Sequence, residues 1–331
     1  MKKLINDPFN VVEEMLEGFV SAHSDLVRFI HPRGIVRAAS PKKGKVGVLI
    51  GGGSGHKPAF IGYIGSGMAD GVAVGNVFAS PSPDPILAVT KAIDTGAGVL
   101  YSYGNYQGDI MNFGMAAEMA GIDGIKVETV LVTDDVASAP ADQLNKRRGI
   151  AGDFLVFKIA GAKAETMAPL DEVKATVEKA NFNTRTMGVA LSSCTVPAAG
   201  KPIFTLADDE MEIGLGVHGE PGVRRGKLEP ADRVAEDLTL RVINDLPFRK
   251  GDEVVALVNG LGSTPYMELY IIYRKMAAIL KDYGIRVHRS YVGEYVTSLE
   301  MAGCSISLMK LDDELKRLID APAETPMFVQ K

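Results

Sequence analysis

The chain has no tryptophan, two cysteines and five histidines in 331 residues. Cys194 and Cys304 form no CxxC pair and are too few for a disulfide scaffold, so each reads as a small buried residue. No apolar run reaches the 18 residues that a membrane-spanning helix needs. The opening Met1-Lys-Lys-Leu-Ile-Asn-Asp-Pro shows neither an apolar signal core nor a small-residue cleavage site. Together these absences place the expected protein in a reduced cytoplasm, away from membranes. A net charge of −5 argues against an extended nucleic-acid surface. Two basic clusters remain, Lys146-Arg147-Arg148 and Arg224-Arg225. Both read as solvated loops, with an anion contact left open for the second because it follows His218 closely.

Motif absences narrow the chemistry further. No GxxxxGK[ST] phosphate loop occurs, and Gly51, Gly53 and His56 break the GxGxxG dinucleotide spacing. No HxxxH or HExxH supports a metal site, and no GxSxG elbow supports a serine hydrolase. No metal is expected on the chain.

What is abundant is glycine, 36 residues against an average usage of about 7%. Four of them surround His218 in Gly214-Leu-Gly-Val-His-Gly-Glu-Pro-Gly222. Glycine permits left-handed turns and close approach of another molecule. His218 is therefore either a turn residue or an imidazole presented to a ligand. Glu220-Pro221-Gly222 reads as a turn signal.

The periodicity predicts an α/β protein of about two domains. An amphipathic helix opens the chain, with Val11, Val12, Met15, Leu16, Phe19 and Val20 at helical spacing. Strands are predicted at 45–51, 71–77, 98–103, 126–132 and 186–191, with helices at 85–94, 109–120, 154–164 and 170–181. A second group has strands at 253–258, 286–291 and 305–311 around a helix at 266–283. A Pro/Gly-rich stretch at 192–204 sets the expected boundary near 180–200, giving domains 1–185 and 186–331.

In open α/β sheets ligands bind beyond the carboxyl ends of strands. The first predicted strand ends in Gly51-Gly-Gly-Ser-Gly-His56, where backbone N–H groups and the Ser54 hydroxyl could meet a substrate or phosphate. His56 is either a structural strand-end residue or an acid/base. Asp109 follows the strand at 98–103, on the same predicted sheet edge, as a helix cap or as a carboxylate sharing proton transfer. Phe78-Ala-Ser-Pro-Ser-Pro-Asp84 is a further strand-end loop, where Ser80 and Ser82 either bind a hydroxyl or begin a helix. A histidine acting covalently or as acid/base on a small polar substrate fits these elements best.

Taken together, the motifs resemble the dihydroxyacetone kinase K subunit. Gly51-Gly-Gly-Ser-Gly-His56, Val77-Phe-Ala-Ser-Pro-Ser-Pro-Asp84, Asn105-Tyr-Gln-Gly-Asp109 and Gly216-Val-His-Gly-Glu-Pro-Gly222 carry the likeness. So do Asn259-Gly-Leu-Gly-Ser-Thr-Pro-Tyr266 and Tyr295-Val-Thr-Ser-Leu-Glu-Met-Ala-Gly-Cys304. The resemblance runs in order along nearly the whole chain. It implies two α/β domains with mainly parallel or mixed sheets flanked by helices, and a substrate site near the domain interface. It further implies that His218 binds a short ketose as a hemiaminal, that His56 and Asp109 handle the hydroxyl proton, and that Gly53, Ser54, Gly55, Ser80 and Gly104 line the substrate. ADP or ATP with Mg is expected on a partner L subunit or domain and none on this chain. A phosphorylated M subunit of the phosphotransferase system would recharge the nucleotide, and the K subunit would be a homodimer. One departure stands out: Gly104 occupies a position where related subunits often carry lysine. A roomier or uncharged wall there makes erythrulose a competing substrate. A ketose-sensing coactivator is the alternative outside enzymes.

Overall fold

A computed structural model describes residues 2–331. They divide into two compact units of interleaved segments. The first runs to Val132 and includes Val156–Ala180 and Leu315–Lys331; the second comprises Thr133–Leu155 and Asn181–Glu314. The sequence suggests two contiguous pieces, 1–185 and 186–331. In the structure each unit instead takes one segment from the other side of that boundary. Both units are α/β, with mixed sheets flanked by helices, in agreement with the expected fold class.

The first unit begins with helix α1 (Val11–Ala22), which buries Val12 and Leu16. A hairpin of β1 (Val27–His31) and β2 (Gly34–Arg37) follows, in a stretch where no strand is predicted. β1 is mostly partly exposed and β2 buries only Gly34, Ile35 and Val36, so neither strand offers an apolar run long enough to read. Strands β3 (Gly47–Ser54), β4 (Gly71–Val77), β5 (Val99–Gly104) and β6 (Val127–Val132) then complete a sheet of order β1-β2-β4-β3-β5-β6. The β4-β3-β5-β6 portion is parallel. Parallel strands buried on both faces read as continuous apolar runs, so the predicted strands there agree to within a few residues. Helices α2 (Pro83–Ile93) and α3 (Gln107–Ile122) connect them, and α4 (Gly152–Glu165) and α5 (Leu170–Phe182) come later in the chain. Pro83 opens α2, where its fixed φ suits the first helical position.

An ion network lies at the amino ends of β3 and β4. Buried Lys45 pairs with buried Asp70, which also accepts the Val48 backbone N–H at 2.9 Å. Arg37 Nη1 lies 3.0 Å from Asp70 and 2.7 Å from Glu165. Burial alone would raise the Glu165 carboxyl, but its hydrogen bonds and the surrounding cations hold it at about 2. The charges sit at the strand ends opposite those from which the functional loops depart.

In the second unit, strands β7 (Thr184–Ala190), β8 (Glu210–Ile213), β9 (Arg224–Lys227), β10 (Glu253–Gly260), β11 (Arg286–Gly293) and β12 (Gly303–Leu311) form a sheet of order β11-β10-β12-β7-β8-β9. Only β10 and β11 pair in parallel. Helices α6 (Ala231–Asp245) and α7 (Tyr266–Asp282) pack their apolar faces on it through Val234, Leu238, Val242, Leu269, Met276 and Leu280. Cys194 and Cys304 are both buried free thiols.

The last segment returns to the first unit. Lys158 Nζ donates to Leu318 O in α8 (Asp313–Asp320), and Thr325 Oγ1 donates to Gly62 O between the short strands β13 (Ala323–Glu324) and β14 (Val329–Gln330). No helix among the described residues is long and apolar enough to cross a membrane.

Candidate active site

In the first unit, the functional loops leave the carboxyl ends of three adjacent parallel strands, β4, β3 and β5. The glycine run itself is not a loop, because β3 continues through Ser54 with all eight residues buried. A Cβ on Gly53 would lie 2.7 Å from the Ala79 backbone nitrogen and 3.0 Å from Phe78 C, so its absence lets the loop after β4 close on the strand. The Ser54 hydroxyl donates to Gly75 O at 2.9 Å, and the Phe78 N–H donates to Ser54 O at 3.0 Å. These residues knit β3 to the β4 loop and leave no open phosphate cradle in the glycine run.

This arrangement fixes His56. The imidazole is 3% exposed, stacked on Phe78 (centroids 5.1 Å, 22°) and edge-on to Phe60 (6.3 Å, 78°). Phe78 adopts φ +58°, a left-handed conformation uncommon outside glycine, and in it the ring lies against the histidine. Gly55, just before His56, and Lys57, just after it, are half-buried, and desolvation lowers the lysine ammonium to about 8.

Gly104 is the buried last residue of β5, paired with Val132 of β6. Asp109 is buried in the first turn of α3, where a carboxylate is favoured by the helix dipole. Below it, Tyr103 stacks on Phe113 with centroids 4.1 Å apart. Burial, reinforced by the Asp109 charge, raises the Tyr103 phenol above its ordinary value and keeps it a neutral donor. Asn112 Nδ2 donates to Ser80 Oγ at 3.2 Å, and a Cβ on Gly108 would stand 3.3 Å from Ser80 Cβ. The structure thus gathers Gly53, Ser54, Gly55, His56, Ser80, Gly104 and Asp109 around the ends of β3, β4 and β5.

His218 belongs to the second unit, on the loop joining the antiparallel strands β8 and β9. Gly216 N–H donates to Glu220 O at 2.9 Å and Gly219 N–H to Gly216 O at 3.0 Å, forming a tight turn. Gly219 has φ +85°, which a side chain would strain. The side chain of His218 is 22% exposed, and its Nδ1 lies 3.1 Å from Glu220 Oε1. Ser298 Oγ donates to Val217 O and pins the loop beside it.

The two basic clusters differ: Arg224 and Arg225 are solvent-exposed as expected, though on strand β9 and not in a loop, whereas the Arg147–Arg148 pair is drawn inward. Arg147 is fully buried and pairs bidentately with Asp245, while Arg148 pairs with Asp135 and approaches Glu220. Arg224 is held by Glu229 and Asp237, and Arg225 by Glu210. Among the described residues no cluster of three His, Cys, Asp or Glu side chains could hold a metal ion.

Comparison with known proteins places this geometry in a family. The Dak1 domain matches residues 17–327. The chain is 50% identical over 330 residues to a Listeria innocua protein named PTS-dependent dihydroxyacetone kinase 2, dihydroxyacetone-binding subunit DhaK, covering 99% of each. It is 48% identical to the D-erythrulose kinase of Mycolicibacterium smegmatis, covering 99% of this chain and 56% of that longer protein. Among solved structures, the dihydroxyacetone kinase operon co-activator Dha-DhaQ matches with a TM-score of 0.91 at 31% identity, over 96% of this chain and 98% of the other. The chain belongs to the Dak1 family.

Proposed function

We propose that this chain is the ketose-binding subunit of a dihydroxyacetone kinase. It captures the carbonyl of a short ketose on His218 as a hemiaminal and presents a hydroxyl for phosphorylation by a nucleotide-carrying L subunit, giving dihydroxyacetone phosphate. The observation that carries this reading is the half-buried imidazole of His218 on its glycine turn, in a chain that matches a dihydroxyacetone-binding subunit end to end. Covalent addition selects a ketone over an alcohol of the same size such as glycerol. It also holds the terminal hydroxyl at one place for in-line transfer.

Asp109 and His56 are assigned to the hydroxyl proton. Asp109, buried beside a neutral Tyr103, takes the proton as the oxygen attacks phosphorus, and the stacked His56 ring holds that oxygen in line. Gly53, Ser54, Gly55, Ser80 and Gly104 line the ketose. The nucleotide and its Mg reside on the partner, recharged by an M subunit, and the chain acts as a homodimer.

Mass spectrometry without denaturant tests the capture. Wild type should gain the full mass of one dihydroxyacetone, because addition loses no water, and His218→Ala should gain none. Equal gain by the variant refutes the assignment.

Gly104 and the identity to a D-erythrulose kinase favour a four-carbon ketose as the second reading. Competition between dihydroxyacetone and erythrulose for the adduct decides between them. The likeness to a co-activator raises a sensor role, which capture without phosphoryl transfer in the presence of L and phosphorylated M would establish.

A further inference from the structure

The loop that presents His218 carries a second chemical group two residues on. Glu220 Oε1 lies 3.1 Å from His218 Nδ1, and Oε2 accepts the His218 backbone N–H at 3.0 Å. One carboxylate therefore grips both the ring and the backbone of the same residue. Its geometry is set by the turn: with a Cβ, Gly216 would stand 2.1 Å from Glu220 Oε2 and 2.6 Å from Arg148 Nη1.

Behind Glu220 stands a cation, Arg148, with Nη1 3.8 Å from Oε2. Arg148 is itself anchored by Asp135 Oδ2 at 2.8 Å from Nε and by Gly214 O at 3.3 Å from Nη2. The result is a line of alternating partners, Asp135, Arg148, Glu220 and His218, all within the second unit. Burial would raise the Glu220 carboxyl, but the hydrogen bond from His218 and the nearby Arg148 guanidinium hold it at about 2. Glu220 is thus ionised at neutral pH and can only accept hydrogen bonds. A carboxylate that can only accept, facing Nδ1, places the ring proton on Nδ1 and leaves the lone pair on Nε2.

We propose that Glu220 is the positioning residue for ketose capture: it fixes the His218 tautomer, aims the Nε2 lone pair, and balances the charge that the ring acquires. The proposal rests on the reading of His218 as the covalent ketose-binding residue. In the step, the Nε2 lone pair forms the bond to the carbonyl carbon. The C=O π pair moves to oxygen, which takes one proton from solvent. The ring becomes a cation whose Nδ1–H still donates to the Glu220 carboxylate, so atoms and charge balance.

The test is Glu220→Gln, which keeps the size of the side chain and removes its charge. ¹⁵N-histidine NMR of the free protein should show His218 protonated at Nδ1 in wild type and as a mixture of tautomers in the variant. Native mass spectrometry should show dihydroxyacetone capture weakened about 10–100-fold, the loss seen when the outer hydrogen-bond partner of a metal-ligating histidine is removed. Glu220→Asp, charged but one methylene shorter, should recover part of that loss, which a purely structural role would not produce. If wild type forms no adduct, the reading of His218 itself fails. If wild type forms it and Glu220→Gln captures as tightly with the same tautomer, the positioning role alone fails.

Discussion

Replacing Asp245 with asparagine should destabilise the second unit more than any other single isosteric change in it. Its carboxylate accepts from Arg147 Nη1 and Nη2 at 2.7 and 2.6 Å and from Arg185 Nε at 2.6 Å. Both arginines are buried, and other donors of theirs go to Ala139 O, Phe182 O and Thr184 O. Asparagine preserves the volume, so no cavity enters; what is lost is a charge that both buried cations share. Removing one partner of a buried ion pair costs about 3–5 kcal/mol. For a unit of this size each kcal/mol lowers Tm by about 2–4 °C, giving a drop of roughly 6–20 °C. Thermal melting followed by circular dichroism at pH 7 measures it. Burial opposes ionisation of Asp245, yet the two arginines depress its pKa below the ordinary value. A depressed carboxylate contributes stability that is present above the unfolded pKa and lost as pH falls through the folded one. The gap between wild type and Asp245→Asn should therefore narrow in acid. A drop below about 3 °C at pH 7, set against the 2–4 °C per kcal/mol scale, would refute the view that this carboxylate holds the 147–185 corner together.

Gly53→Ala would set a methyl 2.7 Å from the Ala79 backbone nitrogen, and the strain should cost about 1–3 kcal/mol of stability, read as a lowered Tm. The same substitution displaces Phe78 from His56, so turnover with the L subunit should fall as well. His56→Asn should reduce that turnover by about 10²–10⁴-fold while ketose capture changes little; unchanged turnover would remove His56 from the chemistry. Because Glu220 is held at about 2, its contribution is present above the unfolded carboxyl value near ~4.3 and is lost as pH falls toward about 2. The difference in Tm between wild type and Glu220→Gln, measured from pH 7 to pH 2.5, should shrink to a small fraction across that window.

The parallel strands were the most legible part of the chain, because strands covered on both faces need apolar residues throughout, as in Val48-Leu-Ile50 and Val72-Ala-Val74. The hairpin β8–β9 was not, since Arg224 and Arg225 point to solvent-side carboxylates and leave no apolar pattern. Helix α6, which the predicted elements do not include, carries Val234, Leu238 and Val242 at four-residue spacing, so its period is legible in the sequence. Site residues divide by how local their causes are. His218 was visible because its glycines adjoin it in sequence. Arg147 looked like a solvated cation because its partner Asp245 lies 98 residues away. Glu220 was in plain view as a turn residue; only closure of the Gly216–Glu220 turn brings its carboxylate onto the imidazole.

On the proposed reading the two histidines have different tasks, and their surroundings differ accordingly. His56 is enclosed by Phe78 and Phe60, aromatic surfaces that hold the ring in place. A ring so held suits guiding a hydroxyl whose proton goes elsewhere. His218 has part of its ring exposed and an ionised carboxylate on Nδ1. That carboxylate lowers the cost of charge on the ring at the moment a bond forms at Nε2. Exchanging the environments should therefore abolish capture even if both imidazoles remain. Apolar replacement of the carboxylate in Glu220→Leu should eliminate the adduct more completely than Glu220→Gln does, because leucine can neither hold the tautomer nor accept from the cation. Equal capture by the two variants would mean that charge on the ring is neutralised by some group other than the one facing Nδ1.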